Sequence, residues 1–244
     1  MLDAHPSVSM QSEVVKMVIH WNRVDTEAAF VFVNHGKACK VNMGFPDFGL
    51  GAYAHLRKQP VTMFKDFHSF VDGKPVETKL VLGQRLGEQW RTKTVSFAEN
   101  GKRAVREVYT TKLGGAAERG RPLALACYLL HTGASWTGNI GTATILVTFD
   151  PDSEVAAPLN VLFDDKGGLA AQELENQAGK PGGVLAAGPS APSIQGRTLR
   201  FEMRNWRPSG WDDISVGFAY PKRAVQWEEE QAKKRAVQPR KRSN

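Results

Sequence analysis

Long apolar runs are missing from the sequence. No stretch approaches the about 18 consecutive apolar residues that a membrane-spanning helix needs, so the sequence excludes such a helix. The first six residues also lack the basic and the apolar regions of a secretory signal peptide. The chain is therefore expected in the cytoplasm or, if a leader lies upstream of Met1, outside it.

Cysteine is scarce as well. Cys39 and Cys127 are the only two, and they lie far apart in apolar, strand-like surroundings. There is no Cys-x-x-Cys pair and no histidine cluster to join it, which makes a zinc site improbable. Since free cysteine often behaves as a small buried hydrophobe, we predict two free thiols. A disulfide between strands, which requires an oxidising compartment, is the less favoured alternative.

Catalytic and phosphate-binding motifs are also missing. The best candidate is the glycine-rich stretch TGASWTGNIG at 132–141. A nucleophile elbow needs glycine where Thr137 stands, and a phosphate-binding or dinucleotide loop must lead into a helix. Here the next residues, TATILVTF, alternate as a strand does. The sequence therefore predicts a turn followed by a strand, no catalytic residue, no cofactor and no enzyme activity.

Metal-binding patterns are weak. The six histidines are scattered, and His20 and His131 fall in strand-like segments where ordinary hydrogen bonding is favoured. Asp150, Asp152 and Glu154 alternate like the start of a calcium loop but lack its glycine and its distal glutamate, so a calcium site is disfavoured. The adjacent carboxylates at 164–165 and 212–213 suit solvated strand ends. No metal is predicted.

The positive charge is concentrated at the C-terminus. The formal net charge is +7, and residues 222–244 contribute +5 of it, so the rest of the chain is nearly neutral. A protein that reads nucleic acid usually carries its basic excess on a folded face. Nucleic-acid binding through the basic tail is therefore kept only as an alternative.

What the sequence does contain is a two-residue hydrophobic period. Segments such as VKMVI, AAFVFV and TATILVTF alternate apolar side chains and are separated by turn residues. Asp72-Gly73 is a strong hairpin signal, and Glu99-Asn100-Gly101 predicts a second hairpin. This pattern predicts an all-β protein built from two sandwich-like lobes of immunoglobulin-like or jelly-roll-like type.

The predicted domain organisation has three parts. An N-terminal lobe covers 7–115 and a C-terminal lobe covers 120–220. Within the second lobe, 166–195 is rich in Gly, Ala and Pro and is predicted to be a long surface loop, with a short helix over 169–177 as an option. Residues 221–244 are predicted to form a helix followed by a basic tail.

The tail is predicted to bind a protein partner. Its helix carries one large apolar anchor, and a helix of about 15 residues is marginal alone in water. Peripheral contact with anionic lipid is the weaker alternative, because the apolar face is narrow. The residues assigned to partner binding are Trp227, Lys233, Lys234, Arg235, Arg240, Lys241 and Arg242.

Three tryptophans lie beside predicted turns: Trp136, Trp206 and Trp211. Such side chains can stack on a sugar or on a partner protein. Large apolar residues are mostly buried, so closing the ends of the core is the favoured role for these three. Stacking on a ligand or partner is the alternative.

Several segments in order carry a resemblance: CKVNMGFP, then FKDFHSFVDGKPV, then HTGASWTGNIGTATILVTF and FEMRNWRPSGWDDISVGF. Together they resemble an uncharacterised family of bacterial exported β-rich proteins with the pattern GFP…DF…VDG…TGxxWxGxI. The resemblance covers most of residues 8–220. It implies a two-part β-sandwich in the periplasm or at the cell surface, and it supplies no active site.

Together these observations lead to one functional expectation. We expect a non-catalytic extracytoplasmic binding or assembly protein, acting as an accessory subunit of a larger cell-envelope complex. A carbohydrate-binding or carbohydrate-active β-sandwich module, using the tryptophans at the turns, is the alternative.

Overall fold

The computed structural model describes residues 6–47, 62–83, 88–118, 121–165, 171–210, 212–222 and 225–226. It contains sixteen strands and one α-helix in these ranges, together with short 3-10 segments, so the predicted all-β class is confirmed. Among the described residues no helix is long and apolar enough to cross a bilayer. The helix α1 is Ala171–Ala178. The strands are β1 (Val8–Ile19), β2 (Arg23–Asn34), β3 (Cys39–Pro46), β4 (Lys65–Val71), β5 (Lys74–Val76), β6 (Lys79–Leu82), β7 (Gln89–Phe97), β8 (Lys102–Lys112), β9 (Gly114–Glu118), β10 (Arg121–Tyr128), β11 (Ile140–Phe149), β12 (Asn160–Asp164), β13 (Gly183–Ala187), β14 (Ser193–Gln195), β15 (Thr198–Trp206) and β16 (Ile214–Ala219).

The largest sheet has eight strands in the order β14-β15-β11-β1-β2-β8-β4-β5. The pairing of β1 with β11 is parallel, and its other pairings are antiparallel. Along β2 buried and half-buried residues alternate without a break, and on β11 the residues Ala143, Ile145, Val147 and Phe149 are buried as the two-residue period predicts. One face of this sheet is therefore apolar and must be covered.

Two smaller sheets cover that inner face. One has three strands in the order β3-β7-β6, and the other has five in the order β12-β13-β16-β10-β9. The ring centroids of Phe30 on β2 and Phe45 on β3 lie 6.3 Å apart, and those of Phe149 on β11 and Phe218 on β16 lie 5.3 Å apart. The three sheets thus pack on a common hydrophobic core.

The eight-stranded sheet draws strands from both predicted lobes. β1, β2, β4, β5 and β8 belong to 7–115, whereas β11, β14 and β15 belong to 120–220, and the two groups meet where β1 pairs with β11. The ladder there runs from Ser12 opposite Thr142 to Ile19 opposite Phe149. The division into two lobes at 7–115 and 120–220 stays a prediction, and each segment alone would lose this ladder and its share of the core.

One of the two predicted hairpins is confirmed. Asp72 and Gly73 join β4 to β5 and both have positive φ, of 50° and 77°, as a tight hairpin turn requires. The second prediction is wrong, because Asn100 and Gly101 connect β7 to β8, which lie in different sheets. A turn motif fixes where the chain reverses, but the partner of each strand is decided by packing far along the chain.

The prediction of a long surface loop over 166–195 is wrong in its central part, whereas the short helix predicted as an option over 169–177 is present as α1. This range contains α1 and the strand β13, whose five residues are all buried. α1 packs directly on β13 and β16, and a Cβ on Gly183 would overlap the backbone oxygen of Gln177, while one on Gly217 would overlap Leu174. Small residues therefore mark a close helix-to-sheet contact here, not a region without a core.

The predicted C-terminal helix lies almost wholly outside the described residues. Its beginning is seen at Pro221 and Lys222, where the Lys222 backbone amide donates a hydrogen bond of 2.7 Å to Glu154 Oε2. Residues 227–244, and with them every residue assigned to partner binding, lie outside the described part, so that assignment stays a prediction.

Asn34 joins the two connections that run between the large sheet and the three-stranded sheet. Its side chain is fully buried. Its amide group donates to the backbone oxygens of Gly36, Lys37 and Ala98 at 2.8–3.1 Å. Its Oδ1 accepts from Ser7 Oγ at 2.7 Å and from the Gly36 amide at 3.1 Å.

Replacing Asn34 with alanine is expected to lower the free energy of unfolding by about 2 kcal/mol, because several buried backbone groups lose their partner at once. Asn34→Asp should cost a comparable amount, since it keeps the acceptor but removes the donors. Urea denaturation measures both. Asn139→Ala is the matched control: this exposed side chain donates hydrogen bonds to Asn205 within the described part of the chain, and its loss should cost less than about 0.5 kcal/mol. If Asn34→Ala lowers the free energy of unfolding as little as Asn139→Ala does, the hydrogen bonds described for Asn34 are contradicted.

Candidate functional site

A cavity of about 70 Å³ lies between the eight-stranded and the three-stranded sheets. β1, β2 and β8 form its floor, β3 and β7 its roof, and the end of β10 with a 3-10 helix at His131–Ser135 closes one side. Its walls are largely aromatic: Phe30, Phe32, Phe45, Trp90 and Trp136. Ligand sites are typically concave, mainly apolar, and equipped with a few polar groups.

Four of the polar side chains that line this cavity are almost inaccessible to solvent: Glu13, Lys93, Glu107 and Tyr128. All are buried, with exposed fractions of 4%, 7%, 1% and 4% in that order. Charged side chains are almost never so deeply buried unless they are paired. Three charged groups in one cavity therefore require a specific reason.

The strand phases explain why these side chains face inward. Glu107 follows Val105 and precedes Tyr109 on the inner face of β8, and Lys93 shares its phase with Val95 and Phe97 on β7. On β1 the register shifts between Met10 and Ser12. This irregularity changes the phase by one residue, so that Glu13 faces inward with Val15, Met17 and Ile19.

Glu13 has one strong hydrogen-bond partner. The Tyr128 hydroxyl, from β10, donates to Glu13 Oε1 at 2.8 Å. Burial raises the pKa of Glu13 to about 7, and the Tyr128 hydrogen bond only partly offsets this. Burial likewise raises the pKa of Tyr128 well above its usual value, and the Glu13 charge adds to the shift. Glu13 can therefore change its charge near neutral pH.

Lys93 and Glu107 form a buried ion pair across the two sheets, in which Lys93 Nζ donates to Glu107 Oε1. Burial raises the pKa of Glu107, while the positive charge and hydrogen bond of Lys93 and the Ser69 hydroxyl act in the opposite direction. Ser69 on β4 lies opposite Glu107 on β8. Lys93 and Ser69 are thus the polar partners of this carboxylate.

The 3-10 helix that closes the cavity is held by Asp213. Asp213 Oδ1 accepts hydrogen bonds from the backbone amides of Leu130 and His131 at 2.8 and 3.1 Å. His131 Nδ1 lies 2.8 Å from the same oxygen. The ordinary hydrogen-bonding role predicted for His131 is confirmed, and it fixes the side of the cavity formed by Thr132, Gly133 and Ser135.

The described tryptophans among the predicted stacking residues pack against the core. The ring centroids of Trp136 and Phe32 lie 4.4 Å apart, and Trp136 lines the cavity. Trp206, at the end of β15, is half-buried and contacts the main core. Trp211 lies outside the described residues. Packing at the ends of the core is confirmed for Trp136 and Trp206, and a stacking role on a ligand stays a prediction.

Two carboxylates of the disfavoured calcium site, Asp150 and Asp152, interact with other groups of the chain. Asp150 caps a 3-10 helix at Pro151–Ser153 by accepting from the Asp152 amide at 2.9 Å. His20 joins this region, with Nδ1 3.1 Å from Asp152 Oδ1 and Nε2 3.2 Å from Asp25 Oδ2. His20, Asp150 and Asp152 each offer a ligand atom within 4.8 Å of the others, but both ring nitrogens of His20 already face carboxylates.

Both cysteines are free thiols, as predicted, although their side chains are only partly buried. Cys127 lies on β10, and burial raises its pKa to about 12, with the Ser215 hydroxyl acting weakly in the opposite direction. A thiol that stays protonated is a poor nucleophile. Cys127 therefore contributes packing, not reactivity.

The sequence matches no protein-family model and no curated protein. Among solved structures, a candidate nutrient binding protein of Legionella pneumophila is similar at a TM-score of 0.56 and 18% identity, over 88% of this chain and 68% of that one. At that identity the likeness concerns the fold alone.

Weaker similarities extend to two longer enzymes. Yeast LTA4 hydrolase aligns at a TM-score of 0.43 and 10% identity. An M1 zinc metallopeptidase of Deinococcus radiodurans aligns at 0.37 and 10%. The chain spans 28% and 43% of their lengths.

Among the cavity residues named above, only Trp136 stood out in the sequence as a candidate for ligand contact. Glu13 stands two residues before Val15 and so shares its phase, and the same holds for Lys93 before Val95 and for Glu107 before Tyr109. A charged residue at an inward-facing strand position was the available signal. That these positions meet in one cavity follows only from the sheet arrangement.

Proposed function

We propose that this chain is a non-catalytic binding protein whose small ligand occupies the cavity between the eight-stranded and the three-stranded sheets. The observation that carries the proposal is Glu13, a buried carboxyl that lines a cavity walled by aromatic rings and has no ion-pair partner among the described residues. A buried charge is costly unless it is paired and hydrogen-bonded. A ligand that donates a hydrogen bond to this carboxyl reduces the cost.

The arrangement favours binding over catalysis. The polar groups of the cavity are a carboxyl with a tyrosine partner and a lysine paired with a glutamate. A nucleophile activated by a neighbouring base, or an acid and a base placed on opposite sides of a reacting bond, would be needed for the common hydrolytic mechanisms. The similar Legionella pneumophila protein is itself a candidate nutrient binder, which agrees with a small-molecule ligand.

A finer description of the fold belongs to the same proposal. We regard the layers as two sandwich-like lobes, in which the large sheet is covered by the three-stranded sheet at one end and the five-stranded sheet at the other. The contacts of Phe30 with Phe45 and of Phe149 with Phe218 support this view. An extracytoplasmic location and a partner bound by the tail 222–244 are kept as proposals from the sequence.

A thermal-shift screen tests the binding proposal. Purified protein is unfolded in the presence of small amines, neutral alcohols and amides, and small carboxylic acids. A ligand at about 100 times its Kd stabilises the native state by about 2.7 kcal/mol, which corresponds to a rise in Tm of about 5–10 °C for a chain of this size. At least one chemical class should produce such a rise.

A pair of matched variants ties the shift to the cavity. Val41 lines the cavity, and Val41→Phe should fill it and abolish the shift. Val31 lies on the opposite face of β2 from the buried Phe30 and Phe32, so Val31→Phe adds the same side chain outside the cavity and should leave the shift intact. A shift that survives in Val41→Phe, or no shift with any class, would overturn the proposed function.

A further inference from the structure

We infer that the cavity selects a small organic cation, such as an amidinium, guanidinium or alkylammonium group, which binds between the carboxylates of Glu13 and Glu107. This inference rests on the proposed function and names the chemical class of its ligand.

The charge of the cavity is the first argument. Two carboxylates and one ammonium group face it, so it carries an excess of negative charge when both glutamates are ionised. Lys93 forms an ion pair with Glu107, and no lysine, arginine or histidine of the described residues forms an ion pair with Glu13. Two carboxylates would repel an anionic ligand, whereas a cation supplies the positively charged partner that Glu13 lacks.

The sheet register is the second argument. Glu13 on β1 is opposite Phe30 on β2, and Glu107 on β8 is opposite Ala28 on the same strand. The two glutamates therefore lie on either side of β2, about 12 Å apart between backbones, because two strand spacings and an offset of two residues separate them. Phe30, which is opposite Glu13, lines the cavity.

The two carboxylates share one electrostatic environment. Both raise the pKa of Tyr128 and of Tyr109, after the larger effect of burial. A single positive charge placed between them therefore interacts with both.

The aromatic walls are the third argument. Phe32 and Trp136 pack together at one side of the cavity, and Phe30 and Trp90 contribute to the floor and the roof. Aromatic faces attract cations within about 6 Å of the ring centre. Cavities that bind purely apolar ligands have similar walls but no buried carboxylates, so the combination favours a cation.

The size of the cavity limits the ligand. Its volume of about 70 Å³ is about half of the 150 Å³ that takes up benzene in an engineered protein cavity. A planar group of about four non-hydrogen atoms suits this space. The ligand is therefore a small cation, or a longer molecule that inserts a cationic head group.

Three probes of nearly the same size and shape separate the charge from the shape: acetamidinium (positive), acetamide (neutral) and acetate (negative). Their binding is measured by NMR titration of the intact protein at pH 8. We expect acetamidinium to bind at least about tenfold more tightly than either of the others. Acetamide or acetate binding as tightly would overturn the inference while leaving the proposed function in place. Failure of all three probes and of the thermal-shift screen would overturn both.

Two variants locate the counter-ion. Glu13→Gln keeps the side-chain shape but removes the charge, and it should weaken acetamidinium binding about tenfold. Glu27→Gln is the matched control, because Glu27 lies on the outer face of β2 with Lys16 and Arg106 and its loss changes the net charge equally. Equal effects of the two variants would contradict a role for Glu13.

The pH dependence gives an independent readout. Glu13 faces Tyr128 on β10 and is near Tyr109 and Glu107 on β8, while Lys93 on β7 faces Glu107. Acetamidinium keeps its charge between pH 5.5 and 8.5, whereas Glu13 gains a proton as the pH falls. Binding should weaken about tenfold over this range in the unmodified protein and stay nearly constant in Glu13→Gln. A flat profile in the unmodified protein would contradict the inference.

Discussion

Replacing Lys93 with methionine is expected to lower the free energy of unfolding at pH 7 by about 3–5 kcal/mol. Methionine keeps most of the aliphatic side chain but removes the ammonium group. Glu107, which is 1% exposed, would then be a buried carboxylate without its counter-ion. Urea denaturation measures the change from the midpoint and the slope.

Two further variants separate the buried charge from general loss of packing. The double variant Lys93→Met with Glu107→Gln removes both charges and should recover much of the lost stability, since a neutral buried pair is not penalised as a lone charge is. Lys16→Met removes an exposed partner of Glu27 at 3.7 Å and should cost less than about 1 kcal/mol. If Lys93→Met lowers the free energy of unfolding as little as Lys16→Met does, the Lys93–Glu107 ion pair is not buried in solution.

The effect of Lys93→Met should also depend on pH. Lys93 lowers the pKa of Glu107, which burial raises, so without Lys93 the folded-state pKa rises further. The folded state then prefers protonated Glu107, and the cost of the substitution should shrink as the pH falls from 7 to 5. A cost that is constant over this range would contradict a carboxylate origin.

Local patterns were sufficient to predict several of the strands. The alternation in TATILVTF gives the buried face of β11, and Asp72-Gly73 gives the turn between β4 and β5. Both signals depend only on residues that are close in sequence. Strand partners do not, which is why Asn100-Gly101 predicted a hairpin between β7 and β8 that the structure does not contain.

Composition was misleading where small residues serve close packing. Small residues such as Gly183, Ala186 and Ala187 leave 166–195 with few large apolar side chains, and this composition predicts a loop. In the structure they form a buried strand on which α1 packs. The reason for glycine at 183 is the backbone of Gln177, which no pattern within the strand itself reveals.

The candidate site was beyond the sequence for a related reason. Glu13, Lys93 and Glu107 come from three strands in two sheets, and their meeting depends on how those sheets stack. The phase of Glu13 further depends on the irregular register of β1 near Ser12. Catalytic templates could be excluded from sequence, since they are local, whereas a cavity made of single residues from distant strands could not be found that way.

Glu13→Gln is expected to stabilise the protein at pH 8 by about 3 kcal/mol and to change it by less than about 1 kcal/mol at pH 5. The pKa of Glu13 is raised from 4.5 to about 7 by burial, so between these two values the folded state binds a proton that the unfolded state has released. Stability from this group is therefore greatest at low pH and is lost as the pH rises through about 7. Glutamine resembles the protonated side chain and avoids that loss.

The difference between the two proteins isolates this group, because the other carboxylates titrate in both. Urea denaturation at pH 5, 6, 7 and 8 should give a difference in unfolding free energy that grows steadily with pH. Tyr128→Phe provides a second check, because it removes the hydrogen bond that favours ionised Glu13. The pKa of Glu13 should then rise further, and Glu13→Gln should stabilise the Tyr128→Phe protein at pH 8 by more than it stabilises the unmodified protein. If the difference in unfolding free energy between the unmodified protein and Glu13→Gln is the same at all four pH values, Glu13 is solvated. The cavity between the two sheets then has no titrating group at this position.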